Sequence, residues 1–491
     1  MRYFLAILLI HLGLSVVAQQ PVDPYTLDAL LKRIPPITAN TQGRLPLITW
    51  EPFITTAKDN SFSKFVPLSE DNYKALNQRG LAQAIPIRAE YIPIAAAMQK
   101  AGMPVVLMEG NGGDVPGSLA IDSLHKLPKD FKYKGTLHPC PLLLAGWHTQ
   151  AMKTRAVLQK FKDANINISA AWLDWENEPW WTQDEWEQSR SCERCKELFS
   201  PGILDSYPSY RDFIVRFRQQ LYSTYLAAPI REFYPKCVIT NWAVVHSSPE
   251  LLTLHYWGRF RFPPMNIGLF NATNPVAYGN DIEYSLVWDK VWKKPKETPL
   301  NQENMDKLYT YVMLSQVSED VANAQKMAPE SLSIPWVCRY CPDLEDPKVP
   351  ILSRARYQEI LRHIWLRGAD SLQIFNAYRT KYPEIRAEEV EDAVASYAEA
   401  MEYRHILETG AVMNTNVPGV EDTSAIWSGM NTDNEAVIRA FSPRNKTVTL
   451  SISIWKNTAK VHLKAPPEGA SYIIRREGKK IIIYNQPLKK I

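Results

Sequence analysis

From about Leu45 to Tyr378 the chain alternates short apolar, β-branched runs with longer stretches of helical periodicity, and this alternation limits the fold more than any other feature. LPLITW (45–50) precedes a helical DNYKALNQRGLAQA, the weaker run IPIR (85–88) precedes an amphipathic EYIPIAAAMQKA, and PVVLM (104–108) follows. After a long loop, the helical TQAMKTRAVLQKFKDA leads into ISAAWLDW (168–175), and a helix through 210–225 precedes CVITNW (237–242). NIGLF (266–270), IPWVC (334–338) and SLQIF (371–375) complete the set. Strands this apolar are buried on both faces, and buried strands that alternate with helices pair in parallel. Eight such units predict a (β/α)8 barrel spanning 19–409. Beyond the helical EEVEDAVASYAEAMEYRHIL the texture changes to period-two runs, AVIRAF, KTVTLSISIW, AKVHLKA, SYIIRR and KIIIYN, separated by turn residues. These predict a small C-terminal antiparallel β-sandwich over 410–491, packed on the barrel and carrying no catalytic cluster.

The first residues, MRYFLAILLIHLGLSVVAQQ, place one Arg before an apolar run that ends near Ala18. This reads as a secretory signal peptide over 1–18, too short for a membrane span and lacking the Cys of a lipoprotein anchor. A secreted or periplasmic protein without a membrane anchor is expected. A formal charge of +4 over 491 residues, with no basic run interleaved with aromatics, argues against nucleic acid as a partner. The 15 Trp and 23 Tyr point instead to flat apolar faces beside polar groups, which suit sugar rings as well as a core. The sequence calls for no cofactor.

Barrel enzymes keep their chemistry just past the C-terminal ends of the strands. There the chain carries Glu51, Arg88, Glu109, Asn241 with Trp242, Asn271 with Tyr278, Arg339 and Asn376. The densest group is AAWLDWENEPWW (170–181), in which Asp174, Glu176 and Glu178 are spaced two apart among Trp172, Trp175, Trp180 and Trp181. In an extended chain the three acids share one face, with α-carbons about 6.6 Å apart. Like charges and burial against indoles raise a carboxyl pKa, and a carboxylic acid held protonated near neutrality can cleave a glycosidic bond as general acid. Two plainer readings compete: a salt-bridged strand end with Arg88 or Arg339 opposite, and a calcium or magnesium site, whose usual loop spacing is not met.

The LDWE segment, Leu173 to Glu176, resembles the D-x-E signature of chitinases and hyaluronidases. That resemblance implies Glu176 as general acid and Asp174 as the group orienting an N-acetyl substituent that attacks in place of a protein nucleophile. Tyr278 in NPVAYGND is similar to the tyrosine those enzymes use from a later strand end. The next residues, Asn177-Glu178-Pro179, resemble the acid/base motif that follows the fourth strand in the retaining β-glycosidase clan, which implies Glu178 as acid/base. RGADSLQIFNAY (367–378) is similar to that clan's eighth strand. Both resemblances are partial. The clan's nucleophilic Glu, at the end of the seventh strand, is replaced here by Arg339, and Glu345 lies six residues later; the chitinase motif lacks its upstream D-G-x-D. Hyaluronidases carry D-x-E after the third strand, which fits only if IPIR is not a strand.

Together these features predict an exported glycoside hydrolase acting on a poly- or oligosaccharide. Asp174, Glu176 and Glu178 are its candidate catalytic residues, and Glu51, Glu109, Trp175, Trp180, Asn241, Tyr278 and Arg339 its substrate-binding ones. With no protein nucleophile evident, Glu51 or Glu109 is the candidate to activate water across the cleft. The alternative is a non-catalytic carbohydrate-binding protein on a decayed barrel, for which Arg339 is the main evidence.

Of six cysteines, Cys140 and Cys237 stand alone, whereas Cys192-x-x-Cys195 and Cys338-x-x-Cys341 form pairs. An exported chain permits disulfides. Four thiolates from Cys192, Cys195, Cys338 and Cys341 would also suit one structural zinc if the fold joined the pairs, and a C-x-x-C redox protein is a third reading. RSCERCKELF is similar to cysteine-bearing segments of some barrel glycosidases. Asn167, Asn271 and Asn445 open glycosylation sequons, relevant only in a eukaryotic host.

Overall fold

The apolar runs pair as parallel strands in the order of a (β/α)8 barrel. A computed structural model describes residues 24–49, 53, 66–109, 125–132, 137, 140–173, 183–242, 274–276, 301–327, 332–339, 350–375, 382–416, 424–444, 446–455, 459–478 and 480–486. Strands β1 (Leu47–Thr49), β2 (Leu81–Pro86), β3 (Val105–Glu109), β4 (Ile168–Leu173), β5 (Val238–Trp242), β6 (Asn274–Val276), β7 (Trp336–Val337) and β8 (Gln373–Ile374) follow one another with helices in every described connection. Their order across the sheet is β6-β5-β4-β3-β2-β1-β8-β7, and every neighbouring pair is parallel. Joining β1 to β8 in this cyclic order is what curls a parallel sheet into a barrel.

Two expectations move. The second strand begins at Leu81, not Ile85, because the preceding helix α1 (Glu70–Asn77) stops early. Gly80, at φ +67°, supplies the left-handed residue that ends the helix, its amide bonded to Asn77. LAQA, which has no decisive periodicity, therefore enters the sheet. The sixth strand lies in Asn274–Val276, while the expected NIGLF (266–270) falls outside the described residues. Because β2 is a strand, the run ending at Leu173 is the fourth, and the strand count required by the hyaluronidase resemblance is not met.

Helices α2 (Ile92–Lys100), α3 (Ala145–Asp163), α4 (Gln183–Ser191), α5 (Glu193–Leu198), α6 (Tyr207–Leu221), α7 (Ala228–Phe233) and α8 (Gln302–Met327) lie in the connections β2–β3, β3–β4, β4–β5 and β6–β7, while the connection from β5 to β6 lies outside the described residues. Helices α9 (Arg354–Trp365) and α10 (Pro383–Met401) flank β8, and buried Ile360, Leu361, Ile364, Val390, Val394 and Tyr397 on them join the barrel core. None of the described helices is long and apolar enough to cross a membrane. The expected signal peptide lies outside the described residues.

The C-terminal region forms the expected antiparallel β-sandwich, with a five-stranded sheet and a two-stranded one. Its strands are β9 (Ala411–Val412), β10 (Ile426–Asn431), β11 (Glu435–Phe441), β12 (Val448–Ile454), β13 (Ala459–Ala465), β14 (Ala470–Glu477) and β15 (Lys480–Gln486). Ile438, Ile452, Ile454, Val461, Leu463 and Ile474 alternate inward to make its core.

A buried polar network joins the two parts. Arg439 of β11 donates from Nε to Glu359 of α9 at 2.8 Å and from a terminal nitrogen at 2.5 Å, and both residues are buried. The His363 imidazole sits between Glu359 Oε1 at 3.1 Å and Ser428 Oγ at 2.8 Å, and Arg367 Nε donates to the same Ser428 hydroxyl at 2.9 Å. With the hydroxyl accepting from Arg367 and donating to Nδ1, the ring is neutral and donates from Nε2 to Glu359. Phe441 packs edge-on against the imidazole, with centroids 5.3 Å apart. Gly469, at φ +78°, passes directly over this pair, where a Cβ would strike both the Arg439 and Glu359 side chains.

Burial pulls the His363 pKa down to about 4 despite its bond to Glu359. Burial opposes ionisation of Glu359, but the Arg439 charge and the bonds from His363 and Arg439 outweigh it and hold the carboxyl well below its usual range. Both effects have the same sign. Below pH 6.5 the unfolded chain takes up a proton on His363 that the folded chain refuses, so stability falls until pH reaches about 4. The loss from this residue is about 3 kcal/mol across that window. Below the ordinary carboxylate range, protonation of Glu359 in the unfolded chain adds to it. Thermal melts from pH 7.5 to 4 are expected to show a steep decline that His363→Gln flattens between pH 6.5 and 5; an unchanged slope in that variant would exclude His363 as the source.

Candidate functional site

At the C-terminal end of the strands, the backbone register brings three chain segments level. Glu109, the last residue of β3, is the partner of Leu173, the last of β4, and Leu173 is the partner of Asn241 in β5. Trp242 then pairs with Val276 of β6. Asp174 is the next residue after Leu173 in the sequence, so the acidic stretch begins where β4 ends, level with Glu109 and Asn241. Asp174, Trp175, Glu176, Glu178 and Trp180 lie outside the described residues, as do Glu51, Asn271, Tyr278, Glu345 and Asn376.

Arg339 follows β7, where its sequence position suggested a substrate-facing group. Its guanidinium is bound to the protein: Nε donates to the Leu352 carbonyl at 2.8 Å, and a terminal nitrogen is paired with Glu388 of α10. Its backbone amide donates to Glu389 at 2.6 Å. Arg354, at the start of α9, reaches Glu388, Glu391 and Asp392 of α10, and Arg33 also reaches Glu391. Arg88, preceding the turn Ala89–Tyr91, approaches Glu90 at 4.0 Å.

A second site comes from the loops that leave the same end of β3 and β4. His125 and Cys140 belong to the connection between β3 and α3, while Cys192 and Cys195 follow the acidic stretch, at the start of α5. Cys192 is the N-cap of α5, and Cys195 is one turn along, so both sulfurs project to one side. All four residues are buried, and their donor atoms lie within 4.8 Å of one another. Cys140 Sγ is 3.4 Å from Cys192 Sγ and 3.5 Å from His125 Nδ1, and Cys195 Sγ is 3.4 Å from the same nitrogen. The loop is tied down around them: the Lys126 amide donates to Cys192 Sγ at 3.1 Å, and the Glu193 amide donates to the Lys126 carbonyl at 3.1 Å. Just past α5, Phe199 packs tilted against Tyr210 and edge-on against Phe213.

The hydrogen bond from Cys195, together with the bonds and charge of His125 and the bond from Cys192, lowers the Cys140 pKa to about 4 against the opposing effect of burial. Cys195 is raised correspondingly, by its bond to Cys140 and by burial. These effects favour a thiolate at Cys140 over one at Cys195. This cluster corrects the expected ligand set. Cys192 and Cys195 meet His125 and Cys140: Cys338 adjoins β7, five places from β4 in the order of the sheet, and Cys341 lies outside the described residues.

No family model matches the sequence, and no curated protein matches it significantly. Among solved structures, the chain is similar to the debranching enzyme from Nostoc punctiforme, at 8% identity, 90% of this chain and 100% of that one, with a TM-score of 0.42. It is similar to the maltogenic α-amylase AmyB from Thermotoga neapolitana at 10% identity, 90% and 99% coverage and a TM-score of 0.42. For a GH30 endoxylanase from Clostridium papyrosolvens the values are 8%, 90%, 98% and 0.38. Identities this low place the chain in none of these proteins' families, and the barrel assignment rests on the strand register itself.

Proposed function

We propose that the chain is an exported glycoside hydrolase that cleaves O-glycosidic bonds of a poly- or oligosaccharide, with Glu176 or Glu178 as proton donor and Asp174 orienting substrate or tuning the acid. One observation carries the reading: the acids Asp174, Glu176 and Glu178 follow directly on the last residue of β4, at the end of a barrel where such groups act. Glu109 and Asn241, whose backbones are level with that point, are the candidates for a second carboxylate and an amide. The four Trp within 170–181 provide the apolar faces that sugar rings stack on. That β4 is the fourth strand favours Glu178 in the N-E-P pattern; the absence of a carboxylate directly after β7, where Arg339 stands, favours Glu176 with an N-acetylated substrate that supplies its own nucleophile. Glu51, Trp175, Trp180 and Tyr278 complete the proposed binding surface. The apolar N-terminus supports export.

A panel of glycans divided into N-acetylated and non-acetylated members tests this reading. Cleavage confined to the acetylated half would support substrate-assisted chemistry. Cleavage of neutral or uronic glycans would support the N-E-P pattern and a second carboxylate across the cleft. The competing reading, a carbohydrate-binding protein without turnover, draws on Arg339, whose guanidinium is committed to Glu388 and Leu352 at the position where a nucleophile would stand. It predicts binding with silence across the whole panel.

A further inference from the structure

We propose that His125, Cys140, Cys192 and Cys195 bind one structural zinc ion that pins the loop after β3 to the segment after β4. The inference is independent of the glycosidase reading. Four donors of the two kinds zinc prefers converge on one point: three sulfurs and one imidazole nitrogen, from two chain segments. A tetrahedral zinc with its usual bond lengths separates sulfurs by about 3.8 Å and a sulfur from a nitrogen by about 3.6 Å. The observed 3.4 Å between Cys140 and Cys192 and the 3.5 Å and 3.4 Å from His125 Nδ1 to Cys140 and Cys195 approach those edges and leave room for an ion at the centre.

A further feature fits the same ion. The Lys126 amide donates to Cys192 Sγ, the kind of bond that stabilises a metal-bound thiolate. Four protein ligands close the tetrahedron and leave no position for water or substrate, which assigns the ion a structural role. On binding, the three cysteines coordinate as thiolates and any proton they still carry passes to solvent, His125 coordinates as neutral imidazole, and no oxidation state changes. A disulfide is the competing fate. It would use two of the three sulfurs and leave a buried thiol beside a buried imidazole.

The consequence is positional. The zinc would join the two loops that border the acidic stretch, one before β4 and one after it, and so fix the walls of the barrel mouth on that side.

Metal analysis of the full mature chain, purified without chelator from zinc-supplemented cells, is the test. One zinc per chain is expected, with all six cysteines reduced by intact mass. Reconstitution with cobalt is expected to give the strong visible absorption of a tetrahedral thiolate site, with a sulfur-to-cobalt charge-transfer band. Cys140→Ser and Cys195→Ser should lose the zinc and melt at lower temperature, whereas Cys237→Ser, outside the cluster, should keep it. Protein that contains no zinc and is two hydrogens lighter through a disulfide among these cysteines would overturn the proposal, as would full zinc occupancy in Cys140→Ser. If the variants fail to fold, the metal content and thiol count of the wild type decide the question alone.

Discussion

Glu176→Gln or Glu178→Gln, whichever removes the proton donor, is expected to lower turnover about 10²- to 10⁴-fold with little change in melting temperature. Glutamine keeps the size and polarity of the side chain but cannot deliver a proton to the leaving oxygen, so a general acid loses rate while a binding group loses affinity. The two resemblances separate here. If Glu176 is the acid, Glu176→Gln should be the severe variant, Asp174→Asn should also impair turnover, and only N-acetylated glycans should be cleaved. If Glu178 is the acid, Glu178→Gln should be the severe one, and a further carboxylate, with Glu109 and Glu51 the first candidates, should prove equally essential. Glycans with a good leaving group should resist either loss better, because they need less protonation. Turnover unchanged in both single variants would remove the acidic stretch from the mechanism.

Arg439→Met is expected to destabilise the chain by about 3–5 kcal/mol, because it leaves a buried carboxylate without its cation. The pair is closed on every side: Glu359 accepts two bonds from Arg439 and one from His363, and the Gly469 backbone crosses over it. Methionine fills the stem of the arginine but not its charge. The double variant Glu359→Leu/Arg439→Met should recover a large part of the loss, since no charge is then stranded and the groups that lose a partner, the His363 donor, the Ser471 hydroxyl and the Glu468 carbonyl, are all neutral. Urea denaturation of the single and double variants measures the coupling. A cost for Arg439→Met below about 1 kcal/mol would mean that the interface tolerates water at this point.

Much of the barrel was legible from strongly apolar, β-branched runs. PVVLM and CVITNW fold within a residue of where their composition puts them. The misses have physical causes. LAQA has neither a strand's nor a helix's periodicity, and only the left-handed Gly80 ends α1 early enough to admit it to β2. The buried network at the sandwich was invisible because AVIRAF reads as an alternating strand, and nothing local says that its arginine faces a glutamate 80 residues away. A charged residue in an otherwise apolar strand was the available signal.

The cysteine cluster was half legible. The helix-start spacing of Cys192 and Cys195 marks a ligand pair on its own, but the partners are a lone histidine and a lone cysteine in a long loop. Pairing one C-x-x-C with the other ignored the order of the sheet, in which β4 lies beside β3 and five places from β7. A search for His or Cys in the βα loops of the two neighbouring strands would have returned His125 and Cys140.

The most direct measurement of the central claim is reducing-end release from the glycan panel by wild type and by Glu176→Gln/Glu178→Gln, with sugar binding measured on the same preparations. The account predicts release by wild type, its loss in the double variant, and retained binding and melting temperature in both. No release by wild type from any glycan it binds would contradict it, and so would equal release by the two proteins.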